Sequence, residues 1–273
     1  MSRVIAPRPV GIVGPLTGPR AAYGEWLRRA AQGSALPLVW ADDAADPVAA
    51  VDAAHRLLAA GAEVVIGHFN SECARAAGVL YRAAGVPLLL PAATAADLCQ
   101  SVGAFRLCAS EARQVIVMRD YLMRHSLRIA DIWSDGSAYG ERLAAALRLH
   151  STPATAEVAI CALMGSHVAV AGEIRRRARP GALYLVPDDC VVDEFDALLA
   201  GTGASTLCPH ATPDFGQCVG LALELVAAAF SRGEPVAAYL DRHADFAHRQ
   251  YRPADYTLVR RQYPALCEND TRT

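Results

Sequence analysis

The chain has 273 residues, a formal net charge of −2 and a hydrophobic fraction of 53%, enough for a large core in one domain or two. A near-neutral balance excludes a nucleic-acid footprint, which would show as a basic stripe. All 26 basic residues are Arg, so no Lys is present for a Schiff base or a P-loop. No apolar run reaches the roughly 18–20 residues that a helical membrane span requires.

Strand and helix patterns alternate from the start. Val10–Val13 reads as a strand and residues 14–22 as a Gly/Pro-rich loop, followed by a helix over 23–32 and a strand over 36–40. Asp46-Pro47 supplies a cap and a first-turn proline for a helix running to about residue 60. Strands over 64–67 and 86–90 flank a helix over 72–84. A link near 105–110 precedes a second series. It reads as helix 114–125, strand 129–134, helix 139–149, strand 156–162, helix 167–178, strand 183–186, helix 191–200 and strand 205–209. Helices over 215–231 and 236–243 and a strand over 256–262 close the chain. The alternation predicts an α/β fold of two doubly wound, parallel-sheet lobes with a ligand cleft between them, the second lobe shortened. The expected first lobe is 1–109 plus 213–250, and the expected second is 110–212 plus 251–273.

Several segments carry a resemblance. GPLTGPRAAYGEWLRRAAQ, ADDAADPVAAVDAAHRLL, VVIGHFNSECARAAGVLYRAAGVPLLLPAATAADL and IADIWSDGSAYGERLAAALR resemble, in order and spacing, the type I periplasmic binding proteins of the leucine/isoleucine/valine-binding family. The resemblance covers roughly residues 8–150 well and the remainder weakly. It implies two lobes joined by crossover segments that close on a small ligand. It places the family's carboxylate- and amine-binding positions on Ser71, Ala92 and Thr94, with Ala93 beside them. Tyr23 matches an aromatic of the first loop, and Tyr139 one that closes from the second lobe.

The local chemistry agrees. Ser71 stands where a strand gives way to a helix, and an exposed helix N-terminus attracts anions. Thr94 is expected at a matching strand end with its own helix N-terminus. Both residues also suit ordinary helix caps. The second lobe lacks a strand–helix unit whose loop carries the family's acidic partner for an amino acid's ammonium. Asp188 is the candidate substitute, although the Asp188-Asp189 pair equally suits a capped turn.

The N-terminus shows no signal-peptide core or cleavage site, which reads as a cytoplasmic protein unless a signal was removed. With that, the resemblance turns toward the cytoplasmic amide-sensing relatives, which also bind a regulatory protein. The expected function is a cytoplasmic sensor or carrier that closes on an amino-acid-like, carboxylate or amide ligand. The alternative is the same scaffold recruited as an enzyme of a biosynthetic pathway, with Cys73, Asp188 or Asp189 as its reactive groups. Cys73 qualifies because a helix N-terminus lowers a thiol pKa, and equally reads as core. Asp42-Asp43 suit either a site rim or a solvated turn. Eight Cys without a CxxC spacing read as reduced thiols. Neither Cys208-Pro-His210 nor His243 with His248 has metal-site spacing, so no metal and no cofactor is expected. The resemblance further implies a homodimer contact through the faces around 46–60 and 72–84.

Overall fold

The computed structural model describes residues 9–149, 158–177, 179 and 181–265. The chain divides into two compact units. Unit 1 takes Met1–Ser110 and Thr212–Asp255, and unit 2 takes Glu111–Ala211 and Tyr256–Thr273.

In chain order the first elements are β1 (Val10–Gly14), α1 (Ala21–Ala31), β2 (Leu38–Asp42), α2 (Pro47–Ala59), β3 (Val64–Gly67), α3 (Ser71–Ala83), β4 (Leu88–Leu90), α4 (Leu98–Ser101) and β5 (Phe105–Arg106). Next come α5 (Glu111–Arg124), β6 (Leu127–Ser134), α6 (Ala138–Arg148), β7 (Val158–Met164), α7 (His167–Arg177), β8 (Leu183–Leu185), a 3₁₀ turn (Asp188–Val191), α8 (Asp193–Leu199) and β9 (Ser205–Thr212). The remainder are α9 (Phe215–Ser231), α10 (Val236–Asp241), β10 (Phe246–Ala247), β11 (Gln250–Tyr251) and β12 (Asp255–Gln262).

The sheet of unit 1 has the order β10-β11-β5-β4-β3-β1-β2, and that of unit 2 the order β12-β9-β8-β7-β6. The pairs among β1 to β5 are parallel, as are those among β6 to β9. Strands covered on both faces must be apolar throughout, and β1, β3 and β4 are buried at every position. The α/β architecture is therefore as the sequence alternation predicts. Phe105–Arg106 differs from the expected link, because it is a strand paired with β4 and β11. The β10–β11 hairpin that completes this edge was not legible either. Two-residue strands have no periodicity to read, so only the neighbouring sheet defines them.

The caps follow from local chemistry. The Asp46 carboxylate accepts from the N–H groups of Val48 and Ala49, with Pro47 at the first helical position. Asp214 and Gln217 form a reciprocal capping box on α9. The core of unit 1 packs Leu57, Val65, Tyr81, Leu90 and Leu98 under α2 and α3. The core of unit 2 packs Met118, Leu143, Ile160, Leu185 and Leu207.

One feature of unit 1 positions the site. From β1 the chain goes to β2 on one side and then to β3 on the other. The strand order reverses between β1 and β3, and open α/β sheets hold ligands beyond the strand ends at such a point. The strand ends there are Gly14 and Gly67. Gly67 has φ +136°, and a Cβ on it would lie 1.8 Å from the carbonyl oxygen of Val13. Only glycine allows this approach.

Candidate ligand-binding site

In unit 1, β3 ends at Gly67, and His68, Phe69 and Asn70 lead from it into α3. Asn70 is the N-cap of α3, with extended backbone and no side-chain cap bond, and Ser71 is the first helical residue. The sequence expectation put the capping question on Ser71, one position late. Ser71 is half-buried, and its hydroxyl accepts from the Ala95 N–H at 3.1 Å. That bond ties the start of α3 to the loop after β4. The Asn70 Oδ1 atom is buried and has no hydrogen-bond partner among the described residues. A buried acceptor left unpaired at an uncapped helix start is a place for a donor from outside the chain.

The loop after β4 departs from expectation. No helix begins at Thr94. The next helix, α4, starts at Leu98 and has four residues. Thr94 is buried in the loop, alongside Ala92, Ala93 and Ala95. Arg106, itself buried, holds this loop from below by donating to the carbonyls of Ala95 at 2.6 Å and Thr94 at 3.4 Å. The PAATA segment is thus a small-residue platform, pinned by Ser71 at an N–H and by Arg106 at two carbonyls. The chain enters α4 through Asp97, which has helical backbone and makes no side-chain cap bond.

Tyr23 is another correction. It is 3% exposed and packs against Trp26 and Phe69, with the Arg20 guanidinium over its ring, so it is a core aromatic of unit 1. The acidic pair at 42–43 is neither a free rim nor a solvated turn. Asp42 accepts from the N–H groups of Leu16 and Ala44 and from the Thr17 hydroxyl, which fixes the first loop. Burial works to raise its pKa, but these bonds outweigh it and hold the carboxyl below its usual value. Asp43 is fully buried against His68 Nδ1 at 2.8 Å, and His68 Nε2 lies 3.3 Å from the Tyr81 hydroxyl. This buried Asp43–His68–Tyr81 line braces the strand ends from behind. Sequence reading missed it because its members are 25 and 13 residues apart.

Cys73 does not suit a nucleophile. It is fully buried, and burial, followed by the charges of Asp43 and Asp46, pushes its thiol well above the ordinary cysteine value. The α3 N-terminus does not overcome that desolvation. No disulfide joins the seven described cysteines, and Cys267 lies outside the described residues. Among the described residues no group of three His, Cys, Asp or Glu could hold a metal ion.

In unit 2 the structure joins two of the expected residues. Tyr139, in the first turn of α6, donates its hydroxyl to Asp188 Oδ1. Tyr256 of β12 donates to Asp188 Oδ2 at 2.6 Å. Asp188 is 3% exposed. Burial and then the neighbouring Asp189 charge push its pKa up to about 6, against the lowering effect of the hydrogen bonds from Tyr139, Tyr256 and Gln114. Asp189 faces elsewhere. It accepts from the His167 backbone N–H at 2.8 Å and lies 3.3 Å from the His167 ring, whose other nitrogen is 3.1 Å from Glu194. It therefore anchors the start of α7. Tyr256 and the nearby Gln114 carried no signal in the sequence, since one sits in a terminal strand and the other in an ordinary amphipathic helix.

A small-residue platform lies at a strand-order reversal in unit 1, and the same chain carries a second parallel-sheet unit, so the architecture is that of a two-unit α/β protein. The comparisons with known proteins agree. The family profile described as "Periplasmic binding protein" matches residues 7–159, and the chain belongs to that family, with the type I fold. It is 31% identical over 156 residues to a "Leu/Ile/Val-binding protein homolog 3" of Brucella melitensis, covering 51% of this chain and 42% of that protein. It is 32% identical over 157 residues to an "Amino acid binding protein" of Pseudomonas aeruginosa, covering 51% and 42%. The matched stretch thus spans less than half the length of these relatives. Among solved structures, the fold matches the substrate-binding protein LivJ of Streptococcus pneumoniae in complex with isoleucine at a TM-score of 0.75 and 16% identity, covering 92% of this chain and 99% of that one. It matches the leucine-binding protein LivK of Thermotoga maritima at a TM-score of 0.76 and 15% identity, covering 94% and 95%. At these identities the likeness is one of fold.

Proposed function

We propose that the chain is a small-molecule-binding protein, a sensor or a carrier, that closes on an amino-acid-like, carboxylate or amide ligand. The observation that carries this reading is the unit 1 platform. There the uncapped α3 start at Asn70 and Ser71 and the small-residue loop Ala92–Thr94 are locked together beside the strand-order reversal. The backbone N–H groups of a helix start and a loop without bulky side chains suit the polar, anionic end of a small molecule. Relatives bearing amino-acid-binding names, and neighbours solved with isoleucine and with leucine, support the amino-acid-like class.

A ligand that binds only the folded state raises the melting temperature with its concentration. The test is a thermal-shift screen of amino acids, short carboxylates and short amides, with Ser71→Ala run beside the wild type. The reading expects at least one saturable stabilisation, weakened in Ser71→Ala because the bond to Ala95 is lost. A screen in which nothing stabilises the wild type overturns it.

A further inference from the structure

Arg106 is 5% exposed, and every acceptor its guanidinium meets among the described residues is neutral. Nη1 donates to the carbonyls of Ala95 at 2.6 Å and Thr94 at 3.4 Å, and Nε donates to Oε1 of Gln250. No carboxylate pairs with it among the described residues. A buried cation without a counter-charge opposes folding, because no anion replaces the water it has lost. Gln250 shows how the charge is kept. Its Nε2 donates to the carbonyls of Cys108 and Tyr251, each at 3.1 Å, which turns Oε1 toward Arg106. A glutamate at this position would neutralise the guanidinium but set a carboxylate oxygen against those two carbonyls. The amide satisfies both ends and leaves the positive charge standing.

The charge has a path to the platform. The Thr94 carbonyl that accepts from Arg106 and the Ala95 N–H that donates to Ser71 Oγ belong to one peptide group. Hydrogen bonds in such a chain polarise one another. A cation drawing on the carbonyl end makes the N–H end a stronger donor. A hydroxyl oxygen that accepts a stronger bond in turn donates its own hydrogen more strongly. The Ser71 hydroxyl hydrogen has no acceptor among the described residues.

We propose that Arg106 is a positioning residue whose buried charge makes the unit 1 platform select an anion over a neutral group of the same shape. The charge acts through the Thr94–Ala95 peptide and the Ser71 hydroxyl, and Gln250 holds it in place without neutralising it. An anionic ligand group supplies the counter-charge that the fold withholds. The inference rests on the binding reading above and adds to it a residue that acts on the ligand through others.

The probes are two matched pairs, leucine with leucinamide and isovalerate with isovaleramide, titrated calorimetrically into the full chain. Within each pair a carboxylate is exchanged for a neutral amide. The wild type is expected to bind an acid at least about 10-fold tighter than its amide. That ratio survives about 0.5 M salt, because a buried charge is screened far less than an exposed one. Arg106→Gln keeps a donor and brings the ratio to within about 2-fold, whereas Arg106→Lys retains most of it. Gln250→Glu leaves Arg106 in place and neutralises it, so the ratio falls there too, although a merely structural clamp would still be present. Thermal melts show which variants are folded, and the salt test on the wild type decides without any of them. Equal binding of acid and amide, a ratio abolished by salt, or a ratio that survives in folded Arg106→Gln overturns the inference. A wild type that binds no acid and no amide of the screen above fails differently, because then the binding reading itself falls.

Discussion

Replacing Asp188 by asparagine isolates the cost of burying its charge. The folded pKa of Asp188 is pushed from the ordinary 3.8 up to about 6, by burial first and the Asp189 charge next. The folded state therefore holds this proton more tightly than the unfolded state does. Between those two values the folded chain binds more protons, so stability falls as pH rises. Above the folded value the full difference applies, about 3 kcal/mol at one pKa unit per 1.36 kcal/mol. At about pH 4.5 the same relation leaves only about 1 kcal/mol. Asparagine keeps an acceptor for one tyrosine and a donor for the other, so Tyr139 and Tyr256 stay engaged while the titration disappears. Urea unfolding of both proteins at about pH 4.5 and about pH 7.5 measures the difference, and every other titrating group cancels in it. Asp188→Asn is expected to gain about 2 kcal/mol more, relative to wild type, at the higher pH than at the lower. Parallel pH profiles for the two proteins would refute the burial argument.

Three further outcomes follow from particular contacts. Gly67→Ala sets a Cβ 1.8 Å from the Val13 carbonyl at a φ of +136° and should cost about 3–5 kcal/mol; an unchanged urea midpoint contradicts that geometry. Arg106→Ala strips donors from the Thr94 and Ala95 carbonyls and should cost about 3 kcal/mol while loosening the platform. Hydrogen exchange of the Ala95 amide reads the loosening, and unaltered protection there argues against the clamp. Cys73 should react with iodoacetamide only as fast as the chain unfolds, since the thiol is fully buried and its pKa raised; rapid native-state labelling of that residue in a peptide digest would show otherwise.

Much of the fold was legible because its signals are local. Asp46-Pro47 announces α2 with a cap and a first-turn proline, and the cap bonds to Val48 and Ala49 form as expected. The α9 segment over 215–231 is apolar enough to need no tertiary information, and its ends fall where the sequence puts them. Ser71 and the PAATA run were visible as strand-end residues, and the bond between Ser71 and Ala95 brings them together. The error at Thr94 has a physical source. A small polar residue after a strand reads as a cap, yet whether a helix follows depends on what the loop packs against, here Arg106 reaching back from the next strand. Tyr23 was misread for a related reason. An aromatic in the first turn of a helix has the same local pattern whether it turns outward or, as here, onto Trp26 and Phe69.

The sequence by itself determined the alternation of strands and helices, the caps, and the family to which the chain belongs, because each of these is written in residues a few positions apart. The tertiary structure decided which polar residues meet. Asp188 receives Tyr139 from 49 positions away and Tyr256 from 68. Asp43 meets His68, and Arg106 meets the carbonyls of the PAATA loop. Such contacts depend on strand order and on which side chains lose water together, and no local pattern encodes either.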